Sequence, residues 1–103
     1  MKPYYSEFVR HCLRYYIKTQ DEGHGGHPAF SSEADKANWV ACYQALKYYS
    51  KDQLEIIYEI YRPGDTIADK IYQLSQTKGV QQDTMWNLIR DVERKIAKRR
   101  GLI

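Results

Sequence analysis

Apolar residues recur at helical spacing in the first part of the chain. Between about Tyr4 and Thr19 they stand three or four positions apart, at Tyr5, Phe8, Val9, Cys12, Leu13, Tyr16 and Ile17. This spacing places them on one face of a helix, so a first amphipathic helix is predicted here. The pattern stops at residues 20–28, where three glycines and a proline predict a loop.

Two further helices are predicted over about 32–49 and 50–61. Ser32 and Asp35 have the spacing of a capping box, although Glu or Gln is usual at the later position. Ser50 and Gln53 complete the S-x-x-Q pattern, in which the two side chains bond free N–H groups of a helix start. The segment 62–65, which contains a Pro-Gly pair, ends the third helix.

Two more helices complete the chain. The fourth is predicted to begin after Asp65 or Thr66 and to end at or just before Gly79. The fifth should run from about Gln82 to Arg99, with an apolar stripe at Met85, Ile89, Val92 and Ile96. No segment alternates apolar and polar residues over a strand length, so no sheet is predicted.

The predicted fold class is all-α, with about five helices in a single domain over residues 1–103. Its N-terminal half, residues 1–49, is a helical pair joined by the glycine-rich loop 20–28. This pair is expected to pack against a C-terminal trihelical unit formed by residues 50–103. The length of the chain supports one modest hydrophobic core.

The amino-acid composition further restricts the class of protein that this sequence can encode. Hydrophobic residues make up 43% and charged residues 28%, as in ordinary globular proteins and unlike disordered ones. No apolar run approaches the roughly 18 residues of a membrane span, and residues 1–7 lack the apolar core of a signal peptide. A cytoplasmic protein without membrane contact is therefore expected, with Cys12 and Cys42 as buried thiols.

The net charge of +3 is unevenly distributed. Residues 90–100 carry six basic side chains against Asp91 and Glu93, a net charge of +4, and the rest of the chain sums to −1. A basic terminal helix is suited to contact with a polyanion. A solubilising helix end, with cations placed at the negative end of the helix dipole, fits the same pattern.

The segment 74–85 has the features of a helix-turn-helix. Ser75 is a small residue where a second helix can cross closely, and Gly79 can adopt the left-handed conformation of a turn. Val80 can fill the angle between the two helices. The alternative that these residues leave open is a plain helical hairpin.

This segment resembles the helix-turn-helix of sigma-70 region 4 and of small sigma-like regulators from prophages and mobile elements of Gram-positive bacteria. Leu74-Ser75, Gly79-Val80 and Thr84-Met85 occupy the positions of the family pattern, and the likeness covers residues 50–102. The chain departs from that pattern at Lys78, where an apolar residue is usual, and at Gln81, which replaces a capping serine.

The resemblance implies a DNA-binding transcription regulator whose fifth helix enters the major groove. Gln and Asn can then pair with adenine and Arg with guanine, while the later basic residues lie near phosphates. Asp83 can cap the start of the helix. The candidate DNA-binding residues are Gln81, Gln82, Asp83, Trp86, Asn87, Arg90, Arg94, Lys98, Arg99 and Arg100. Double-stranded DNA is the expected partner, with RNA polymerase and a second copy of the chain as further candidates.

Several alternatives remain beside this interpretation. Trp86 suits a core position equally well, and Gln82 and Asn87 suit ordinary solvated positions. The ten tyrosines cannot all be buried in so small a domain, which favours a helical protein-interaction module without DNA contact as the second hypothesis. Single-stranded nucleic-acid binding through stacked tyrosines ranks last.

The sequence offers little support for a metal site or for catalysis. His24 and His27 have H-x-x-H spacing, but zinc needs about four ligands and the pair lies in a glycine-rich loop. No phosphate-binding loop, nucleophile elbow or metalloprotease motif is present in the sequence. No enzymatic activity and no cofactor are therefore expected.

Overall fold

The computed structural model describes residues 3–23 and 29–103, which form five helices. In chain order these are α1 (Ser6–Asp21), α2 (Glu33–Leu46), α3 (Lys51–Tyr61), α4 (Ile67–Lys78) and α5 (Gln82–Arg99). No strand occurs in these two ranges. The prediction of an all-α fold with about five helices is confirmed. Part of the predicted loop, residues 24–28, lies outside the described residues.

Helix α1 begins and ends two residues later than its apolar pattern predicted. Contacts between distant segments account for the extension at its C-terminal end. The Trp39 indole donates a hydrogen bond to Thr19 Oγ1 at 2.9 Å, and this buried hydroxyl donates to the Tyr16 carbonyl at 2.7 Å. Two residues further on, Arg62 Nη2 binds Asp21 Oδ1 at 2.8 Å. The hydrophobic spacing of α1 contains no information about these partners.

The caps of α2 and α3 are those that the sequence predicted. Ser32 Oγ accepts a hydrogen bond from the Asp35 amide at 3.1 Å. At α3, Ser50 and Gln53 form both bonds of the capping box, at 2.9 and 3.2 Å. Helix α2 ends at Leu46 rather than near residue 49, since three residues are used to connect it to the Ser50 cap. Such a start signal also limits how far the preceding helix can extend.

One hydrophobic core joins all five helices. Helix α1 packs against α2, α3 and α5, helix α2 also packs against α5, and the last three helices contact one another. The N-terminal pair therefore lies directly on the C-terminal trihelical unit. The largest fully buried side chains are Tyr61, Leu13, Ile17, Ile57, Ile60, Ile71, Met85, Ile89 and Ile96.

Both cysteines are buried and form no disulfide, as predicted. Burial raises the pKa of the Cys12 thiol to about 11, and it raises that of Cys42 well above the usual range. Thiols with such pKa values remain protonated near neutral pH, so both side chains act as small apolar core residues.

The described part of the chain contains no helix with the length and apolar character needed to cross a bilayer.

Candidate nucleic-acid interface

Helices α4 and α5 are joined by a three-residue turn. Helix α4 ends at Lys78, and Gly79 follows in the left-handed conformation, with φ 69° and ψ 18°. A residue with a Cβ is disfavoured there, so glycine is favoured at this position. Val80 is half-buried and packs against the core, and Gln81 precedes the start of α5. The left-handed Gly79 and the half-buried Val80 are as the sequence predicted for this turn.

A polar row runs along α5 on the side opposite its buried residues. We call this row the α5 stripe; it consists of the exposed residues Asp83, Asn87, Arg90, Arg94 and Lys98. Successive members are four, three, four and four positions apart, which keeps them on one face of the helix. The opposite face buries Met85, Ile89, Val92 and Ile96 in the core. The α5 stripe contains three cations and one carboxylate, and it faces solvent along most of the helix.

The cations of the α5 stripe are available for an external partner. Arg90 Nη2 donates to the neutral side-chain oxygen of Asn87, and this contact leaves the positive charge uncompensated. Arg94 and Lys98 form no ion pair with any residue in the ranges 3–23 and 29–103. Arg94 nevertheless contributes to the electrostatic field that lowers the pKa of Asp91. An unpaired guanidinium that points to solvent is ready to bind an anion.

The remaining predicted residues at the start of α5 occupy different environments. Gln81 and Gln82 are exposed beside the turn. Trp86 is half-buried and packs against the core, as the alternative interpretation of this residue predicted. Gln81, not Asp83, is the N-cap residue of α5, so the prediction that Asp83 caps the helix is wrong. Its carboxylate lies in the first turn, where the helix dipole favours a negative charge.

Arg99 and Arg100 lie away from the α5 stripe and contact helices of the N-terminal pair. Arg99 donates to Gln44 Oε1 at 3.0 Å and to the Tyr48 hydroxyl at 3.2 Å, with its guanidinium over the Tyr48 ring. Arg100 Nε donates to Asn38 Oδ1 at 2.7 Å. These contacts give both arginines a part in holding the C-terminal end of α5 against α2. The phosphate contacts predicted for these two arginines would need the guanidinium groups that already bond Gln44, Tyr48 and Asn38.

Sequence reasoning missed a buried polar cluster beneath α5. Glu93 is only 3% exposed, and its Oε2 accepts hydrogen bonds from Arg10 Nε at 2.9 Å and from the Tyr61 hydroxyl at 2.5 Å. Burial, together with the adjacent carboxylate, raises the pKa of Tyr61 well above its usual range. The sequence contained one signal, since Glu93 follows Ile89 by four positions and therefore falls within the apolar face.

The zinc alternative finds no further support. His24 and His27 lie outside the described residues. Within residues 3–23 and 29–103, no three His, Cys, Asp or Glu side chains are grouped so as to hold a metal ion.

Comparisons with protein-family models, with curated proteins and with solved structures find no match for this chain.

Proposed function

We propose that the chain is a DNA-binding transcription regulator that uses α4, the Gly79 turn and α5 as a helix-turn-helix. The α5 stripe is the observation that supports this function best. It is exposed, carries three cations, and directly follows a tight turn between two helices. A recognition helix needs these properties, because its outer face enters the major groove while its inner face remains in the core.

The order of residues along the α5 stripe suggests which side chains contact bases and which contact phosphates. Asn87 and Arg90 lie in the first half of α5, which is the half that reaches base edges in helix-turn-helix proteins. Their side chains can make two hydrogen bonds each to adenine and guanine, respectively. Arg94 and Lys98 follow one and two turns later, where contacts to phosphates fix the position of the helix. The bond between Asn87 and Arg90 orients both side chains before DNA binds.

The biological setting rests on the resemblance to sigma-70 region 4. It points to a bacterial regulator from a prophage or mobile element, acting in the cytoplasm, with RNA polymerase as a candidate partner. A single recognition helix reads only a short site, which makes a homodimer a candidate form on DNA.

The salt dependence of binding to duplex DNA tests this proposal. Each phosphate contact releases counterions, so affinity should fall steeply as salt rises. Replacing Lys98 by Gln should weaken binding to all sequences about equally and reduce the slope of log K against log salt by about 1. The Lys18→Gln variant is the matched control, since this exposed side chain lies in the last turn of α1. The proposal is contradicted if both variants change the slope alike, or if the wild-type protein binds no duplex.

A second candidate function is protein interaction through exposed aromatic side chains. Tyr48 and Tyr72 are 65% and 57% exposed, and Tyr43 and Phe8 are exposed as well. Exposed tyrosines favour protein partners because a large apolar ring carries a polar end. This candidate is favoured if the protein binds no duplex but self-associates during sedimentation, with Tyr72→Ser abolishing the association.

A further inference from the structure

A groove of about 660 Å³ opens between the N-terminal ends of α1 and α4 and the middle of α5. Its walls include Tyr5, Ile67, Trp86 and Ile89, which form a largely apolar surface. Sites for small molecules generally have volumes of about 300–1,000 Å³ and apolar walls with a few polar groups. The groove therefore has the size and lining of a small-ligand site. The polar groups on its wall decide which ligand fits.

Three arginines and one carboxylate line the groove, for a formal charge of +2. Arg10 and Glu93 bind each other, which compensates both charges. The uncompensated charges belong to Arg90, which bonds only a neutral side chain, and to Arg94. Two guanidinium groups that line an apolar groove and lack an ionic partner among the described residues favour a ligand that carries an anionic oxygen group.

The start of α4 contributes further donors to the same groove. Thr66, Ile67 and Ala68 line it, and the Thr66 hydroxyl is used to cap the Asp69 amide. The amides of Ile67 and Ala68 precede the first bond within the helix, which the Lys70 amide makes to the Thr66 carbonyl. Free amides at the positive end of a helix bind anions.

An unsatisfied hydroxyl in the wall of the groove points independently to a ligand. Ser6 lines the groove, is 0% exposed, and has an Oγ without any hydrogen-bond partner. Within residues 3–23 and 29–103, it is the only buried side-chain oxygen or nitrogen atom without a hydrogen-bond partner. Buried polar groups nearly always have partners, so an orphaned hydroxyl in a binding groove indicates a missing acceptor.

We propose that this groove binds a small aromatic carboxylate. The carboxylate is held by Arg94, the amides at the start of α4 and the Ser6 hydroxyl, while the ring packs against Trp86 and the neighbouring apolar side chains. Arg90 and Arg94 belong to the groove and also to the α5 stripe. A bound anion therefore competes with DNA for the same guanidinium groups. This regulatory consequence rests on the proposed function, whereas ligand binding itself does not.

Binding is tested first without DNA, by NMR titration of the ¹⁵N-labelled protein with indole-3-acetate and benzoate. Indole-3-acetamide, benzamide and inorganic phosphate are the probes that lack either the charge or the ring. The carboxylates should shift the amides of Ile67 and Ala68 and the indole signal of Trp86, with much smaller effects from the other three probes. The proposal is overturned if no carboxylate shifts these signals at millimolar concentration, or if phosphate or the amides act equally well.

Matched variants separate a binding role from a structural one. Loss of a charge-assisted hydrogen bond in Arg94→Gln should weaken carboxylate binding about tenfold or more, while Lys18→Gln leaves it unchanged. Ser6→Ala should also weaken binding without lowering the melting temperature, because the hydroxyl has no partner in the free protein. Wild-type affinity in both groove variants would overturn the assignment.

The second part of the test measures how the carboxylate changes binding to duplex DNA. Indole-3-acetate should raise the dissociation constant for duplex DNA in the wild type, and Ser6→Ala should blunt this effect. Lys98 does not line the groove, and its side chain bonds no described residue that does, so Lys98→Gln should weaken DNA binding and leave carboxylate binding intact. If the protein binds carboxylates but no duplex, the proposed function fails and the ligand site stands. If it binds duplex but no carboxylate, the ligand site fails alone.

Discussion

The buried contact between Arg10 and Glu93 allows a quantitative prediction. The Glu93 carboxylate is 3% exposed and has two donors, Arg10 Nε and the Tyr61 hydroxyl. Replacing Arg10 by Met retains the length of the side chain but leaves a buried carboxylate with one neutral donor. Removing one partner of a buried ion pair costs about 3–5 kcal/mol. Since Arg10 borders the groove, where water can enter, we expect about 3 kcal/mol, the lower end of this range.

The assay is equilibrium unfolding in urea, supported by thermal melting. For a domain of this size, a loss of 3 kcal/mol corresponds to a fall in melting temperature of about 12–24 °C. Lys18→Met is the control on the same helix, because the exposed Lys18–Glu22 pair is 3.9 Å apart. Such a surface pair contributes at most about 1 kcal/mol.

A double variant tests the physical reason for this loss. Adding Glu93→Gln to Arg10→Met removes the buried charge and retains an acceptor for the Tyr61 hydroxyl. The double variant should therefore be more stable than Arg10→Met alone, with a coupling of about 1–3 kcal/mol. The reasoning is refuted if Arg10→Met costs no more than Lys18→Met, or if the second substitution lowers stability further.

Two further predictions concern the turn and the pH dependence of stability. Gly79→Ala should lower the free energy of unfolding in urea by about 1–2 kcal/mol. The backbone at this residue has φ +69° and no neighbour lies within 4 Å of an added Cβ, so the loss comes from backbone strain and not from a clash. Unchanged stability would contradict the left-handed turn. The hydrogen bond from Lys95 lowers the pKa of Asp91. The pair therefore contributes its full stabilisation at pH values above the usual carboxyl pKa, and this contribution is lost as the pH falls through the lowered pKa. Asp91→Asn should therefore lose less stability than the wild type between about pH 5 and pH 3, and equal losses would count against the assignment.

The sequence was sufficient to predict most of the fold because its local signals agree with one another. The Ser50–Gln53 capping box fixes the start of α3 and Gly79 fixes the end of α4, and the apolar stripe of α5 gives that helix its observed bounds. The left-handed turn at Gly79 was predictable for the same reason, since it depends on a few residues close together in the chain. The end of α1 was predicted less well, because Thr19 and Asp21 are held by partners far away in sequence.

The candidate site was predictable only where one helix determines it. The periodicity of α5 separates its exposed stripe from its buried face without any knowledge of the other helices. Arg99 and Arg100 have the same charge as Arg94 and Lys98, but their hydrogen bonds to Gln44, Tyr48 and Asn38 depend on how the N-terminal pair packs against α5. The groove could not be predicted, since its walls come from three helices and its orphaned Ser6 hydroxyl is defined by what surrounds it.

Selection from random duplex DNA near physiological salt tests the central claim most directly. The purified wild-type protein and the Asn87→Ala, Arg90→Ala double variant are carried through the same rounds, with Lys18→Gln as a charge control. The account expects one enriched motif with the wild type and with the control, and its loss in the double variant. Enrichment of no motif by the folded wild-type protein, or of the same motif by the double variant, would contradict the claim that α5 reads DNA sequence.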